Sequence, residues 1–484
     1  MRVEENKSLK LNMVLNGIKG LMSILFPLIS FPYVSRVLGV DSLGRYNFST
    51  SVISYFILLA GLGISTYAIR EGAKIREDKE DFEHFANQMF TVNIISTTIS
   101  YVLLLLLMLT VGKFRDYWDI LAVLSIQIVF TTIGVDWLYS VYEDYLYITI
   151  RSIAFQALSI LALFIFVKET DDIVPYALIS VLANAGSGIL NFIRSKKYCH
   201  IRLARIIDWK KHLKPILVLF AMSVTVTLYV SSDTTILGFL CDDYTVGIYS
   251  VSTKIYTIVK TLLSSVLIVS IPRLSAILGQ KSKNEFNEVA SDIYRTLITV
   301  LVPAIVGIIV LRSQIIFMIS GTDFLAATSS LAILSIALFF CLGAWFWGQC
   351  ILVPLSEENT VFKITVVSAL SNVVLNFLMI PIWKENAAAF TTLIAEAISF
   401  FGCTFFGKKY VSLTEVRETT LKVLVGCAGV VLTSVGVMRI FHNVYMSTVV
   451  TVCLAIFVYL VIEVILKNES IWSILNSIKA KMSK

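Results

Sequence analysis

The chain has 484 residues, of which 57% are hydrophobic and 15% charged, with a mean hydropathy of +0.82 and a formal net charge of +7. A soluble chain would be about 45–50% apolar and about 25% charged, so the composition excludes one and indicates a polytopic membrane protein. The small positive excess fits basic loops gathered on one side of a bilayer, and nucleic acid is not expected as a partner.

The segment Met1 to Lys10 is polar, and the apolar run after it lacks a small-residue cleavage site, so the first span is expected to be retained. Crossing the hydrocarbon core takes about 20 apolar residues. Runs of that length lie near 11–33, 45–69, 88–112, 119–141, 146–167, 173–194, 214–240 and 246–271, then near 296–319, 324–353, 358–382, 386–406, 422–441 and 444–466. The count is fourteen, with thirteen or twelve left open by the short gaps at 142–145, 354–357 and 383–385. Such runs are helices, since barrel strands alternate over about 9–11 residues. Pro27 and Pro32 are expected to bend the first span.

Loop charge sets the orientation. With a cytoplasmic N-terminus, 28 of the 40 Lys and Arg are cytoplasmic and eight are outside, so both termini are expected in the cytoplasm of a cell-membrane protein. The other four, Lys19, Arg151, Lys254 and Lys260, lie within spans.

A weak internal repeat gives the domain plan. Leu38-Gly39 precedes Gly44-Arg45-Tyr46, and Leu237-Gly238 precedes Gly247-Ile248-Tyr249, an offset of 203 residues between spans running the same way. The expected fold is all-α, with about 14 transmembrane helices in two parallel-repeat six-helix lobes plus two C-terminal helices. The boundaries are an N-terminal lobe at 1–195, a basic cytoplasmic linker at 196–213, a C-terminal lobe at 214–407, and the last two spans with the tail at 408–484.

Enzyme signatures are missing. His84, His200, His212 and His442 are placed in loops as solvated side chains, and there is no phosphate-binding GxxxxGK[ST] loop and no GxSxG elbow. Seven cysteines without a CxxC suggest neither a disulfide framework nor a metal site, and no cofactor is expected. No segment between spans exceeds about 25 residues, too short for a catalytic domain.

The candidate functional residues are the intramembrane charges. An ionisable group near the bilayer centre costs about 2.5–3.5 kcal/mol on insertion scales, so it usually faces a wet cavity or a partner. Asp136 and Arg151 sit at matched depths of about 8 Å in an antiparallel hairpin and are expected to form a structural ion pair. With that pair set aside, Lys19, Lys254 and Lys260 outnumber Asp233 and Glu396, a positive surplus suited to an anionic cargo. The three lysines are therefore candidates for a substrate cavity, although Lys19 is also within snorkelling reach of the headgroups and one of Lys254 and Lys260 is within reach of pairing with Asp233. Asp233 and Glu396 are candidates for ion coupling, with a neutral, hydrogen-bonded carboxyl as the other reading of Glu396. Asn372 and Asn376, four apart, are expected to pack helices.

Three stretches carry a resemblance: SRVLGVDSLGRYNFSTSVISY from Ser35, GLGISTYAIREGAK from Gly61 and DWLYSVYEDYLYITIRS from Asp136. They resemble the polysaccharide-repeat flippases of Wzx type, in the MOP superfamily that also holds lipid II flippases and MATE multidrug exporters. The resemblance implies a bilobal transporter that moves an undecaprenyl-pyrophosphate-linked oligosaccharide from the cytoplasmic to the outer leaflet. Its partners would be the bilayer and that lipid-linked oligosaccharide, with a polysaccharide polymerase and glycosyltransferases in the same pathway. The second half departs from the pattern, since WFWGQCILVPLSEENTVFKITV lacks equivalents of Asp136 and Arg151. Three alternatives remain at this point: a lipid II flippase, a MATE-type antiporter, and a membrane enzyme of polysaccharide assembly. A cation exporter should show a surplus of buried carboxylates, and a polymerase a long outer loop.

Overall fold

The computed structural model describes residues 9–279, 283–441, 443–472 and 476. Among them every regular element is helical, as a chain in lipid requires, because only a helix or a closed barrel satisfies all backbone polar groups there. In order these are α1 (Leu9–Gly61), α2 (Ile64–Ile75), α3 (Lys79–Thr110), α4 (Gly112–Asp116), α5 (Trp118–Ile133), α6 (Asp136–Val141), α7 (Tyr145–Phe166), α8 (Ile173–Ala185) and α9 (Gly188–Ser195). There follow α10 (Trp209–Leu240), α11 (Asp243–Gly279), α12 (Lys283–Ser320), α13 (Thr328–Trp345), α14 (Glu358–Gly407), α15 (Val416–Ile440) and α16 (Val444–Ile465). A 3-10 turn, Thr322–Ala327, leads into α13, and a π-helical stretch, Phe346–Leu352, continues it.

By length and composition, eleven helices among the described residues can cross a membrane, or twelve if the bent pair within α11 is one span. A count of fourteen needs two of these, Leu25–Ile75 and Glu358–Gly407, to cross twice each. Both contain a non-helical residue. In α1 it is Gly39, at φ 72° and ψ −176°, a conformation glycine adopts without a Cβ clash. In α14 it is Lys384, at φ 49° and ψ −127°, three residues after Pro381, whose ring and missing N–H weaken the helix there. Pro27 and Pro32 lie inside α1, yet the break falls at Gly39.

Contacts divide the chain into Met1–Gly247 and Ile248–Lys484. In the first unit α1 packs on α3, α5, α7 and α10, and α8 packs on α5 and α7. Thus α10, which the sequence reading gives to the second lobe, is packed with the first. The core under α2, α3 and α6 joins Tyr67, Phe82, Phe85, Met89, Trp137 and Leu138. Two glycines allow one close approach: a Cβ on Gly44 would lie 1.8 Å from the Asp243 carbonyl oxygen, and one on Gly247 would lie 2.1 Å from the Val40 oxygen. The repeated glycines are therefore packing positions, not only sequence echoes.

The basic segment after α9 is fastened along one face of α3. Backbone N–H groups of His200, Arg202, Ala204 and Asp208 donate to Glu83, Asn87, Thr91 and Gln88, at 3.2, 2.6, 2.7 and 2.9 Å. Those acceptors recur at helical spacing, so a non-helical strap finds partners for its donors without a second strand. The Asp208 side chain then caps α10 by accepting from Lys211 N–H. His212, expected as a solvated loop residue, is instead buried in α10 with Nδ1 2.8 Å from the Tyr67 hydroxyl. His84 lies in α3, His200 is exposed, and His442 lies outside the described residues.

In the second unit α13 packs on α14, and α12 packs on α13, α15 and α16. Arg295 of α12 binds Asp292, Glu415 and Glu469, and the Tyr459 hydroxyl donates to the Thr299 carbonyl at 2.6 Å. These bonds make the last two helices part of this unit's core.

Candidate functional site

In the first unit the motif opening at Asp136 forms a polar and aromatic cluster. Val135 adopts φ 41° and ψ 41° and Glu143 adopts φ 54°, so the chain turns twice and α6 is a six-residue helix between two corners. Arg151 Nη1 lies 3.0 Å from Asp136 Oδ1, and Asn191 Nδ2 donates to the same oxygen at 2.5 Å. The Tyr139 hydroxyl donates to the Asn191 carbonyl at 2.5 Å. One corner on, buried Asp144 accepts from Tyr198 at 2.7 Å and from Arg194 at 3.3 Å, with the Arg194 guanidinium 4.0 Å over the Tyr147 ring. Burial, then the hydrogen bond to Asp144, pushes the Tyr198 phenol up, so it stays a proton donor. Burial likewise holds Tyr142 up to about 12, and its ring stacks on Tyr198 at 4.4 Å. Most members of this network bond to each other, which rigidifies the α6–α7–α9 corner.

The ion pair differs from the one the matched depths suggest. The Arg151 side chain is 8% exposed but that of Asp136 is 66% exposed, because α5 ends at Ile133 and Asp136 begins a new helix instead of continuing a buried one. The two partners should therefore respond unequally to substitution. Asp136→Asn leaves a buried guanidinium without its carboxylate, while its Nε already lacks a hydrogen-bond partner, and should cost about 1–3 kcal/mol. Arg151→Met keeps the stem and leaves an exposed carboxylate still bonded to Asn191, a loss of under about 1 kcal/mol. Thermal melts of the two purified variants check this; equal losses would mean that Asp136 is desolvated as well.

The second unit brings together Lys260 and Glu396. Lys260 Nζ of α11 lies 3.8 Å from Glu396 Oε1 of α14, and the Tyr256 hydroxyl donates to that same oxygen at 3.1 Å. Cys341, buried in α13, neighbours this pair. The lysine side chain is 36% exposed and the carboxylate 5%. A π-helical stretch begins five residues after Cys341, a distortion often found near functional sites.

Lys254 is half-buried in α11, six residues before Lys260, and Asp233 is buried in α10 of the first unit. The Lys19 side chain lies outside the described residues. Asn376 donates to Asn372 at 3.2 Å and accepts from Thr391 at 2.5 Å, bracing the two halves of α14.

The expected surplus of cations fails on a residue left out of it. Glu463, near the end of α16, is fully buried and accepts from Asn468 at 2.6 Å, so the tally of candidate intramembrane lysines and carboxylates beyond the Asp136 pair is even. Tyr256 also escapes the sequence reading, although its spacing four before Lys260 places both on one helix face. No local signal marks Asn191, Arg194 or Cys341, whose partners are remote in sequence.

Residues 10–278 match the family described as polysaccharide biosynthesis protein. A candidate O-antigen transporter of Escherichia coli (strain K12) is 23% identical across 81% of this chain and 94% of its own length. The capsular polysaccharide biosynthesis protein CapF of Staphylococcus aureus is 22% identical across 76% of this chain and 91% of its own. Among solved structures, the lipid II flippase MurJ in an inward closed conformation aligns with a TM-score of 0.76 at 16% identity, covering 95% of this chain and 99% of that one. An inward-facing MATE multidrug resistance transporter of the MOP superfamily aligns at 0.62 and 14% identity, covering 84% of this chain and 98% of that one. These structural likenesses establish the fold.

Proposed function

Because the chain belongs to the polysaccharide biosynthesis protein family, we propose that it flips a lipid-linked oligosaccharide, carried on a polyprenyl pyrophosphate, from the cytoplasmic to the outer leaflet of the cell membrane. The observation that carries this reading is that the likeness to the candidate O-antigen transporter runs over 94% of that protein's length and 81% of this chain. The shared fold with a lipid II flippase supports it. The MATE-type antiporter is the less favoured reading, because the sequence relatives are described as a candidate O-antigen transporter and a capsular polysaccharide biosynthesis protein.

In this proposal two six-helix lobes and two C-terminal helices make up fourteen spans, both termini are cytoplasmic, and alternating access moves the polar part of the cargo across the membrane while the prenyl tail stays in lipid. Lys254 and Lys260 meet the pyrophosphate, because an ammonium offers up to three donors to phosphate oxygens. Lys19 is assigned to the same group on its sequence position alone. Glu396 and Asp233 are the candidates for ion coupling. Glycosyltransferases make the cargo and a polymerase consumes it, so no chemistry is assigned to this chain.

The test is reconstitution. Vesicles containing the purified protein and a fluorescent lipid-linked oligosaccharide should lose labelled headgroup from one leaflet with time, and protein-free vesicles should not. Equal rates in both would refute the flippase, and movement of organic cations in its place would support the antiporter.

A further inference from the structure

The first turns of α10 have two unlike faces. His212 and Ile216 turn inward and are buried, His212 against Tyr67. On the other side Trp209, Lys210, Leu213, Lys214, Leu217 and Ala221 line an open groove of about 520 Å³. Lys210, Leu213, Lys214, Leu217 and Ala221 recur at spacings of three and four, which sets them along one stripe of the helix. The stripe is graded, with an indole and two ammonium groups near its start and only aliphatic side chains beyond Lys214. From Trp209 to Ala221 it runs about 18 Å, close to the ~20 Å of one bilayer leaflet with its headgroups.

We infer that this groove binds one anionic phospholipid, with its phosphate held by Lys210 and Lys214 and an acyl chain laid along Leu217 and Ala221. Charge complementarity selects that occupant. The two lysines are the only charged residues lining the groove, and each ammonium donates readily to phosphate oxygens. A zwitterionic lipid brings a cation of its own, which the lysines repel. The segment leading into α10 carries the same chemistry. Its backbone is fastened to α3, while Arg202 and Arg205 are exposed beside Leu203 and Ile206, themselves 63% and 79% exposed. Basic and apolar side chains presented together from a fixed backbone suit the interface of an anionic membrane, and Trp209 adds an aromatic ring at that level. An undecaprenyl chain, far longer than one leaflet is deep, outruns the groove. The inference goes beyond the proposed function and is independent of the cargo, since it requires only that α10 be a membrane span.

Trp209 reports the occupancy. The full chain is reconstituted in phosphatidylcholine vesicles with rising fractions of phosphatidylglycerol, or of further phosphatidylcholine, brominated near the headgroup end of the acyl chains. Bromine quenches an indole it touches, and subtracting the signal of Trp209→Phe isolates Trp209 from the other tryptophans. Quenching by the brominated phosphatidylglycerol should reach half its maximum at a fraction about tenfold lower than that of the brominated phosphatidylcholine. Converting Lys210 and Lys214 together to glutamine should bring the two curves together, whereas converting both to arginine should keep them apart. Both positions are exposed, so the variants should melt as the wild type does. Superimposed curves in the wild type, or a preference that survives the double glutamine variant, would overturn the inference. Added farnesyl pyrophosphate should leave the quenching unchanged; fluorescence restored by it would give the groove to the cargo instead.

Discussion

Replacing Lys254 and Lys260 together with glutamine should lower the rate of oligosaccharide flipping by at least tenfold at equal protein level. Glutamine keeps polar character and most of the stem while deleting the charge, so the substitution removes attraction to phosphate without opening a large void. A hydrogen bond to a charged partner contributes about 1.5–3 kcal/mol, which is roughly one to two decades in affinity for each lysine that touches the cargo. Two controls make the result interpretable. Melting of the purified double variant reports folding, because Glu396 loses the cation 3.8 Å away while keeping Tyr256. Lys260→Glu should transport less than Lys260→Gln, since it sets a carboxylate beside Glu396 and repels the cargo as well. Unchanged flipping by a folded double variant would assign both lysines to structural pairing.

The largest structural effect should come from a single methyl group. A Cβ at position 44 would lie 1.8 Å from the Asp243 carbonyl oxygen, 2.7 Å from its carbon and 2.8 Å from the Gly247 nitrogen. All three are backbone atoms, so no side chain can rotate out of the way, and the start of α11 must move off α1. Overpacking a tight site costs about 1–3 kcal/mol even when neighbours can adjust, and a backbone collision should sit at or above that range. Gly44→Ala should therefore reduce the yield of monodisperse protein and lower its melting temperature. Gly307 of α12 has nothing within 4 Å of the same construction, so Gly307→Ala should be neutral, or stabilising by up to about 1 kcal/mol through helix propensity. Fluorescence size-exclusion profiles and thermal melts of the two variants suffice. Equal behaviour would show that the glycine contact opens readily.

By itself the amino-acid sequence determines that this chain is helical and spans a membrane many times, because uninterrupted apolar runs near the thickness of the hydrocarbon core leave the backbone no other way to satisfy its polar groups. It also picks out Asp136 with Arg151, since both ends of a short hairpin can be placed by counting at 1.5 Å per residue. Counting cannot tell how wet that pair is. α5 ends at Ile133 and the left-handed corner at Val135 starts a new helix at Asp136, and a corner of that kind in a non-glycine residue leaves little trace in composition. Nor can counting pair Lys260 with Glu396, which are 136 positions apart on helices that only folding brings together. His212 shows the same limit. Its basic, polar surroundings look like a solvated loop, yet a strap whose donors are taken up by Glu83, Asn87, Thr91 and Gln88 leads directly into α10, with the imidazole turned against Tyr67. Local pattern decides which segments enter the membrane; which buried charge neutralises which is decided by the packing of distant helices, because in low dielectric the energy of a charge depends on the partner a few ångströms away.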